Sequence, residues 1–417
     1  MMRILIVVGA RPNFMKAAPL VCAIRDHNRS EMAQKLDCVL VHTGQHYDET
    51  MSASFFADLS LPPPDMQLGV GSGSHAVQTA EIMRKFEGVL LEQRPDVVIV
   101  VGDVNSTVAC ALVTSKISLD SQGGRPSIAH VEAGLRSFDP AMPEEINRVI
   151  TDHLSDLLFV TEESAILNLH REGIAAEKIH FVGNTMIDSL LASSDRADKS
   201  PILDKLGLRS HSNDSANAIH RYAVLTLHRP SNVDRRQTFL SILEGLDEVS
   251  QSCPVLFSAH PRTRKRIEEF GLKHFFPDVI GAGTAQAPHA QGIHLLHPLG
   301  YLDFLCLMKH SALVITDSGG IQEETTCLGV PCVTVRENTE RPVTVTCGTN
   351  RLAGATADSI RRTIEDQLHR SKSSSIPVKW DGNAAARIVQ TIVSEFSMRN
   401  SHSVTSRTLE IAAGFAP

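Results

Sequence analysis

Aromatic residues are scarce in this 417-residue chain, which has one Trp and three Tyr. So few rings leave no series of stacking platforms of the kind that holds single-stranded nucleic acid. A positive net charge is lacking as well. The formal net charge is -7, which argues against a nucleic-acid partner while leaving room for a local basic pocket. Eight cysteines are present, but none forms a CxxC pair. Cys38 and Cys110 fall inside apolar runs. The simplest reading is reduced, buried thiols in a cytoplasmic protein, with neither a zinc site nor a disulfide frame. No apolar run approaches the length of a membrane span, so no membrane partner is expected. The run in MMRILIVVGARP is too short for a signal peptide and continues into Gly-Ala-Arg-Pro as strand and loop. Tandem repeats at solenoid periods are also missing.

The chain does contain a long alternation of short apolar runs and helical patterns. In the first half the runs are Arg3–Val8, Cys38–Thr43, Val97–Val101, Ser127–Val131, Leu157–Val160 and His180–Val182. In the second half they are Ala223–Leu227, Val255–Ser258, Ile293–Leu296, Leu313–Thr316, Pro331–Val335 and Arg351–Ala353. Their hydrophobicity is nearly continuous, which marks strands buried on both faces. Strand and helix in alternation imply an α/β fold with parallel sheets, and two such series imply two doubly wound, Rossmann-like domains. The junction is expected within Leu191–Arg221, where SHSNDSANAIH is Ser/Asn-rich and reads as an exposed insertion. A second polar insertion is expected at Gly283–Gly292, and a poorly ordered tail after about Met398.

In open parallel sheets, ligands bind beyond the carboxyl ends of the strands. The residues that follow each predicted strand are therefore candidates. They include Arg11 and Lys16 after the first run, Asp103 after Val97–Val101, and Glu132 after Ser127–Val131. In the second half they are His228, His260 and the turn Asp317-Ser318-Gly319-Gly320. Most of these have a plainer alternative. Arg11 and Lys16 could be surface charges, Asp103 could cap the helix predicted at Asn105–Lys116, and either histidine could be a satisfied core residue.

Two stretches are more specific. Ser127–Arg148 presents Glu132, Arg136, Glu144, Glu145 and Arg148 with no metal-ligand spacing. Carboxylates and arginines past a strand end suggest acid–base chemistry on an anion. A solvated face of ion pairs is the alternative. Ala312–Pro331 passes from a buried strand through Ser-Gly-Gly into a helix. Ser318 suits an N-cap, and Gly319 and Gly320 let backbone N–H groups approach a ligand. The helix start then offers free donors and a positive dipole end to a diphosphate, and Glu324 could accept from sugar hydroxyls. GVGSGS at Gly69–Ser74 follows no predicted strand and reads as a flexible loop rather than a dinucleotide loop. Asp-x-Asp is absent from the chain, which weakens a metal-dependent nucleotide-sugar site.

Taken together, these residues resemble the non-hydrolysing UDP-N-acetylglucosamine 2-epimerases. The resemblance runs from about Arg3 to Ser394. It rests on GARPNFMKAAPL, HTGQHYDE, VVGDVNST, HVEAGLRSFDPAMPEEINR, VGNTMID, TLHRPSN, AHPRTR, GYLDFL, TDSGGIQEE and RENTERP. It implies two Rossmann-like domains of the glycosyltransferase-B type, with the active site in the cleft between them. The expected division is 1–195 for the first domain, 196–375 for the second, 376–397 for a helix returning to the first, and 398–417 for the tail. It also implies a homodimer that needs no metal or nicotinamide cofactor, and a cytoplasmic role in polysaccharide synthesis.

The implied reaction interconverts UDP-GlcNAc and UDP-ManNAc through loss of the C2 proton, elimination of UDP and a glycal intermediate. On this resemblance Asp103, Glu132 and Glu144 are the carboxylates, without assignment to a face of the sugar. Arg11, Lys16, Arg148, His228, Arg341 and the Ser318–Gly320 helix start would meet the diphosphate, with His260 a further candidate beside it. Phe304 and Leu299 would lie at the uracil, and Glu324 at the ribose. Gln45 and His46 resemble part of a surface that binds UDP-GlcNAc as an activator. One departure stands out. Many relatives have Glu after Glu340-Arg341-Pro342, whereas Val343 stands here.

Alternatives remain. A related epimerase acting on a UDP-diacetamido uronate would want an extra cation, with Arg136 and Arg262 as candidates. A glycosyltransferase of this architecture would not need three carboxylates on the first domain. A binding protein without catalysis would not need Asp103, Glu132, Glu144 and His228 together. A hydrolysing epimerase fits less well with Glu132-Ala133-Gly134-Leu135-Arg136.

Overall fold

The computed structural model describes residues 1–30, 34–45, 56, 58–120, 124–209, 218–276, 279–280, 291–369 and 375–413. For Arg11, 279–280 and 399–413 it describes the backbone alone. Both polar insertions expected from the sequence lie mostly outside these residues.

Among the described residues the chain forms two seven-stranded sheets, and every strand pair is parallel. The first contains β1 (Met2–Val8), β2 (Leu36–His42), β3 (Met66–Gln67), β4 (Val97–Val101), β5 (Ser127–Ala133), β6 (Leu157–Val160) and β7 (Ile179–Phe181). The second contains β8 (Ala223–Thr226), β9 (Val255–Ser258), β10 (Val279–Ile280), β11 (Ile293–Leu296), β12 (Leu313–Thr316), β13 (Cys332–Thr334) and β14 (Asn350–Leu352). All five residues of β4, Val-Val-Ile-Val-Val, are buried. Helices cover both faces of such a strand, and each fully buried Val or Ile contributes roughly 1.5–3 kcal/mol.

The strand orders are β3-β2-β1-β4-β5-β6-β7 and β10-β11-β9-β8-β12-β13-β14. Each sheet reverses direction once, between β1 and β4 in the first and between β8 and β12 in the second. These two switch points open crevices at the carboxyl ends of the strands. Gly9–Arg11 and Gly102–Asp103 therefore share one crevice. His228 and Asp317–Gly319 share the other.

The chain crosses between the sheets after β7. The helix Thr185–Ala197 packs on the helix Arg11–Arg29 and on helices Tyr301–His310 and Gly319–Leu328 of the second sheet. Ser189 Oγ donates to the Met15 carbonyl at 2.5 Å, and Lys309 Nζ reaches Ser194 Oγ at 2.7 Å. Later the chain returns to the first sheet. Trp380 is buried and its Nε1–H donates to the Thr161 carbonyl at 3.0 Å, just beyond β6. The final helix, Ala384–Ala413, starts on Asp188, whose carboxylate accepts from the N–H groups of Ala384 and Ala385. Its backbone continues past residue 397, where the sequence reading ended the last helix. No helix among the described residues is long and apolar enough to cross a membrane.

Candidate active site

The first crevice is organised by Asn13. Its side-chain oxygen accepts from the N–H groups of Gly9 and Ala10, both at 3.0 Å, and its amide donates to the Val101 carbonyl at 2.9 Å. This joins the ends of β1 and β4 and fixes the first turn of the helix Arg11–Arg29. One turn further on, Lys16 is buried and its ammonium faces Glu132 Oε2. Gly102, at φ +66°, allows that approach, because a Cβ there would lie 2.7 Å from Lys16 Nζ. Arg11 begins the same helix, but its side chain lies outside the described residues.

Glu132 occupies an unusual backbone position. The pairing of β5 with β6 shifts between Val131 and Ala133, and Glu132 between them has φ +73°. A non-glycine residue in the left-handed region costs of order 1–3 kcal/mol and persists only where its surroundings enforce it. The carboxylate is buried and bridges the two sheets. One oxygen meets Lys16 and the other accepts from Arg341 Nη2 at 2.5 Å. Arg341 in turn pairs with Glu323 at 2.8 Å and Glu340 at 2.6 Å. Burial disfavours the Arg341 charge, but Glu323, Glu132 and Glu340 outweigh it, so the guanidinium stays firmly protonated.

Asp103 does not cap the helix after it. Val104 is the N-cap residue and makes no side-chain bond there. The Asp103 carboxylate instead accepts from Arg148 Nη1 at 2.5 Å. Burial works to raise its pKa, but Arg148, Lys16 and Arg341 together hold it below the usual carboxylate range. Arg148 also donates to Glu145 at 2.7 Å. Glu145 accepts further from Ser137 N and Oγ and from Phe138 N, so it folds the loop that precedes its own helix, Pro143–Leu154. Glu144 stands half-buried at that helix start. Among the described residues no ion pair joins it to the Glu132 cluster.

The second crevice centres on Asp317. Its carboxylate accepts from the backbone N–H groups of His228 and Arg229, and lies 2.8 Å from His228 Nδ1. Burial opposes the Asp317 charge, yet His228 and these N–H donors keep its pKa low. The His228 ring is about half exposed, at 52%. Ser318 is the N-cap residue of the helix Gly319–Leu328, but its hydroxyl makes no capping bond, contrary to the sequence expectation. Its own N–H donates to Thr316 Oγ1 at 3.0 Å. The hydroxyl is therefore not committed to the helix. A Cβ on Gly319 would fall on the Arg341 guanidinium, so glycine is required for that close approach.

Beside this crevice, Leu299 and Phe304 are partly buried against the core. Tyr301 on the same helix donates its hydroxyl to Glu324 Oε1 at 3.1 Å. Burial pushes Glu324 up to about 7. His260 serves its own helix. It is exposed, and Nδ1 accepts from Arg262 N at 3.3 Å, which is a capping role. Gln45 is buried, and its side-chain oxygen accepts from Ser106 N and Oγ. His46 lies outside the described residues. The Gly69–Ser74 loop does follow a strand, the two-residue edge strand β3, and it is tied down rather than flexible, with Gly71 N donating to Gly44 O and Ser74 capping the next helix.

Several buried acids near these groups were not picked out from the sequence. Glu340 meets Arg229, Arg336 and Arg341. Burial opposes its charge, but Arg341, Arg229, Arg336 and Arg148 hold its pKa far below the ordinary range. Burial pushes Glu323 up to about 7, although Arg341 opposes this. Glu162 follows β6 and is also pushed up to about 7 by burial. The Ser164 hydroxyl, the Arg341 charge and the Val343 N–H favour its ionised form less strongly. Adjacency to Arg341 could have singled out Glu340. Nothing local marks Glu162.

The site thus joins carboxylates from one sheet to cations and a helix start on the other. The chain as a whole has close counterparts. A family model described as UDP-N-acetylglucosamine 2-epimerase matches residues 28–393. The UDP-N-acetylglucosamine 2-epimerase of Methanocaldococcus jannaschii is 41% identical over 393 residues, covering 94% of this chain and 99% of that protein. The UDP-2,3-diacetamido-2,3-dideoxy-D-glucuronate 2-epimerase of Pseudomonas aeruginosa is 40% identical over 392 residues, covering 93% and 99%. A crystal structure of the M. jannaschii enzyme with UDP-GlcNAc and UDP superposes with a TM-score of 0.80 at 39% identity, covering 94% of this chain and all of that one. Fold, sequence and extent agree over nearly the whole length, and the chain belongs to the UDP-N-acetylglucosamine 2-epimerase family.

Proposed function

We propose that this chain interconverts UDP-N-acetylglucosamine and UDP-N-acetylmannosamine. A carboxylate takes the proton from C2. The bond from C1 to the diphosphate oxygen breaks, its electron pair leaves on UDP, and a C1=C2 double bond forms in a bound glycal. A proton then reaches C2 from the opposite face, and UDP returns to C1. The observation that carries this reading is Glu132, strained at a strand end and held between Lys16 of its own domain and Arg341 of the other.

The same two cations are placed to take charge on a leaving diphosphate, with His228 and the N–H groups at Ser318–Gly320. A diphosphate that accepts from Lys16 and Arg341 draws them away from Glu132. That exchange frees a carboxylate at the moment the sugar arrives. Asp103, Glu144 and Arg148 complete the acid–base set. Leu299 and Phe304 take the uracil, and Glu324 takes the ribose hydroxyls. Domains dividing near residues 195 and 375, a homodimer, a cytoplasmic setting and a role in surface polysaccharide synthesis belong to the same proposal. The eight unpaired cysteines suit a reducing compartment.

A second reading, epimerisation of a UDP-diacetamido uronate, is favoured by the 40% identity to the P. aeruginosa enzyme. It requires a cation for the sugar carboxylate. Arg136 is buried and spent on Asp152 and Glu172, and Arg262 is paired with Asp234. The two arginines weighed for that task are thus engaged, which favours the uncharged sugar. The test is incubation with UDP-GlcNAc in heavy water, followed by NMR. Deuterium at C2 with UDP-ManNAc appearing is expected. Exchange with the uronate alone would overturn the substrate, and release of free ManNAc would indicate hydrolysis.

A further inference from the structure

Glu132 needs something to enforce its left-handed backbone, and the residues around it show what does. Two positions earlier, His130 is fully buried. Its Nε2–H donates to the Gly102 carbonyl at 2.8 Å, and its Nδ1 lies 2.7 Å from Asp152 Oδ1. Two positions later, the Gly134 N–H donates to Asp152 Oδ2 at 3.1 Å. One carboxylate therefore holds both sides of the Glu132 bulge, one side with each oxygen. Asp152 is 0% exposed.

The clasp is itself anchored. Arg136 Nη2 lies 2.7 Å from Asp152 Oδ2, and the same guanidinium forks onto Glu172 at 2.7 and 2.6 Å. Through His130 the clasp also reaches Gly102, the residue before Asp103. Two of the proposed catalytic carboxylates thus take their backbone placement from one side chain. That side chain sits on the helix Pro143–Leu154, whose first turns carry Glu144 and Arg148. Stability alone does not require the arrangement. Buried ion pairs are often no better for stability than apolar packing of the same volume, but they do fix geometry.

We infer that Asp152 is a positioning residue for the reaction: it clasps His130 and Gly134 and so holds Glu132 at the C2 proton and Asp103 beside it. This rests on the proposed epimerase reading. A leucine at 152 keeps the approximate shape but removes both acceptor oxygens, so the Gly134 N–H and Arg136 on one side and His130 Nδ1 on the other all lose their partner and the clasp opens. Misplacement of a reacting group by about 1 Å can cost about 10²-fold in rate. Asp152 touches none of the proposed diphosphate or uracil contacts, and Lys16 is held on the separate helix Arg11–Arg29, so UDP affinity should be spared.

The experiment compares wild type, Asp152→Leu and His130→Gln. It measures C2 deuterium exchange per UDP-binding site, with sites counted by calorimetric titration with UDP. The expected result is about a 10²-fold lower exchange rate for Asp152→Leu and at least about a 10-fold lower rate for His130→Gln, with UDP Kd within about 3-fold for both. A merely structural role would reduce the number of binding sites and leave exchange per site unchanged. Exchange per site within 2-fold of wild type in either folded variant overturns the inference. If Asp152→Leu does not fold, His130→Gln decides alone, because its amide can still donate to Gly102 while the link to Asp152 is lost. Absence of exchange in the wild type would refute the epimerase reading instead.

Discussion

Glu324 offers a test in which stability and function should move in opposite directions. The residue is 4% exposed. Burial raises its pKa from the ordinary 4.5 to about 7, the Tyr301 hydroxyl opposes the rise, and the Glu323 charge adds to it. The sign follows from proton binding. Below 4.5 the carboxyl is protonated in both folded and unfolded chains and contributes no difference. Between 4.5 and about 7 the unfolded chain ionises first, so the fold loses stability as pH rises. Above 7 both forms are charged, and the accumulated cost is about 3 kcal/mol. Glu324→Gln keeps the shape and an acceptor for Tyr301 but removes the charge. Urea unfolding at several pH values should show the variant equal to wild type near pH 4.5. It should become more stable by up to about 3 kcal/mol at pH 8. UDP affinity should fall in the same variant, because an amide binds ribose hydroxyls less strongly than a carboxylate. A stability difference that does not grow with pH would refute the reasoning.

Glu132→Gln should lower C2 exchange by about 10²-fold or more while UDP binds at least as tightly, since the carboxylate that competes for Lys16 and Arg341 is gone. NMR exchange and calorimetry check the two halves. Gly319→Ala places a methyl group on an Arg341 guanidinium already tied to three carboxylates. UDP affinity should drop about 10-fold for lack of hydrogen-bonding room at the helix start, and an unchanged Kd would count against a diphosphate there. Trp380 is the chain's one Trp. Trp380→Ala should cost about 3–5 kcal/mol by far-UV circular dichroism melts, because the buried ring joins the returning segment to β6.

The fold was legible because its strands are buried on both faces. Each of the twelve apolar runs corresponds to a strand, with ends shifted by no more than a residue or two. The two strands that were missed, β3 and β10, are two-residue strands at sheet edges, too short to form a run. β5 runs on to Ala133 because of the bulge at Glu132, and a bulge leaves no mark in a hydrophobicity pattern. Residues at strand ends were legible for a related reason. Parallel topology sends every strand's carboxyl end to one edge, so Asp103, Glu132, His228 and Asp317 could be gathered by order alone.

Their partners were not legible, because pairing depends on which loops meet across the cleft. Arg341 lies 209 residues from Glu132. Asp152 looks like any polar residue on an amphipathic helix, and its burial appears only once β5 and that helix are packed together. The clearest case is Val343. The sequence suggests that a carboxylate is missing after Pro342. In the fold, Glu162 comes from the other sheet, and its carboxyl meets the Val343 N–H and the field of Arg341. A guanidinium as deeply buried as Arg341 needs anionic neighbours, and it does not matter which part of the chain provides them. The charge balance of the cleft is therefore a property of the assembled pair of domains. A motif read one segment at a time can show that a carboxylate is absent from its usual place, but not that another segment has brought one there.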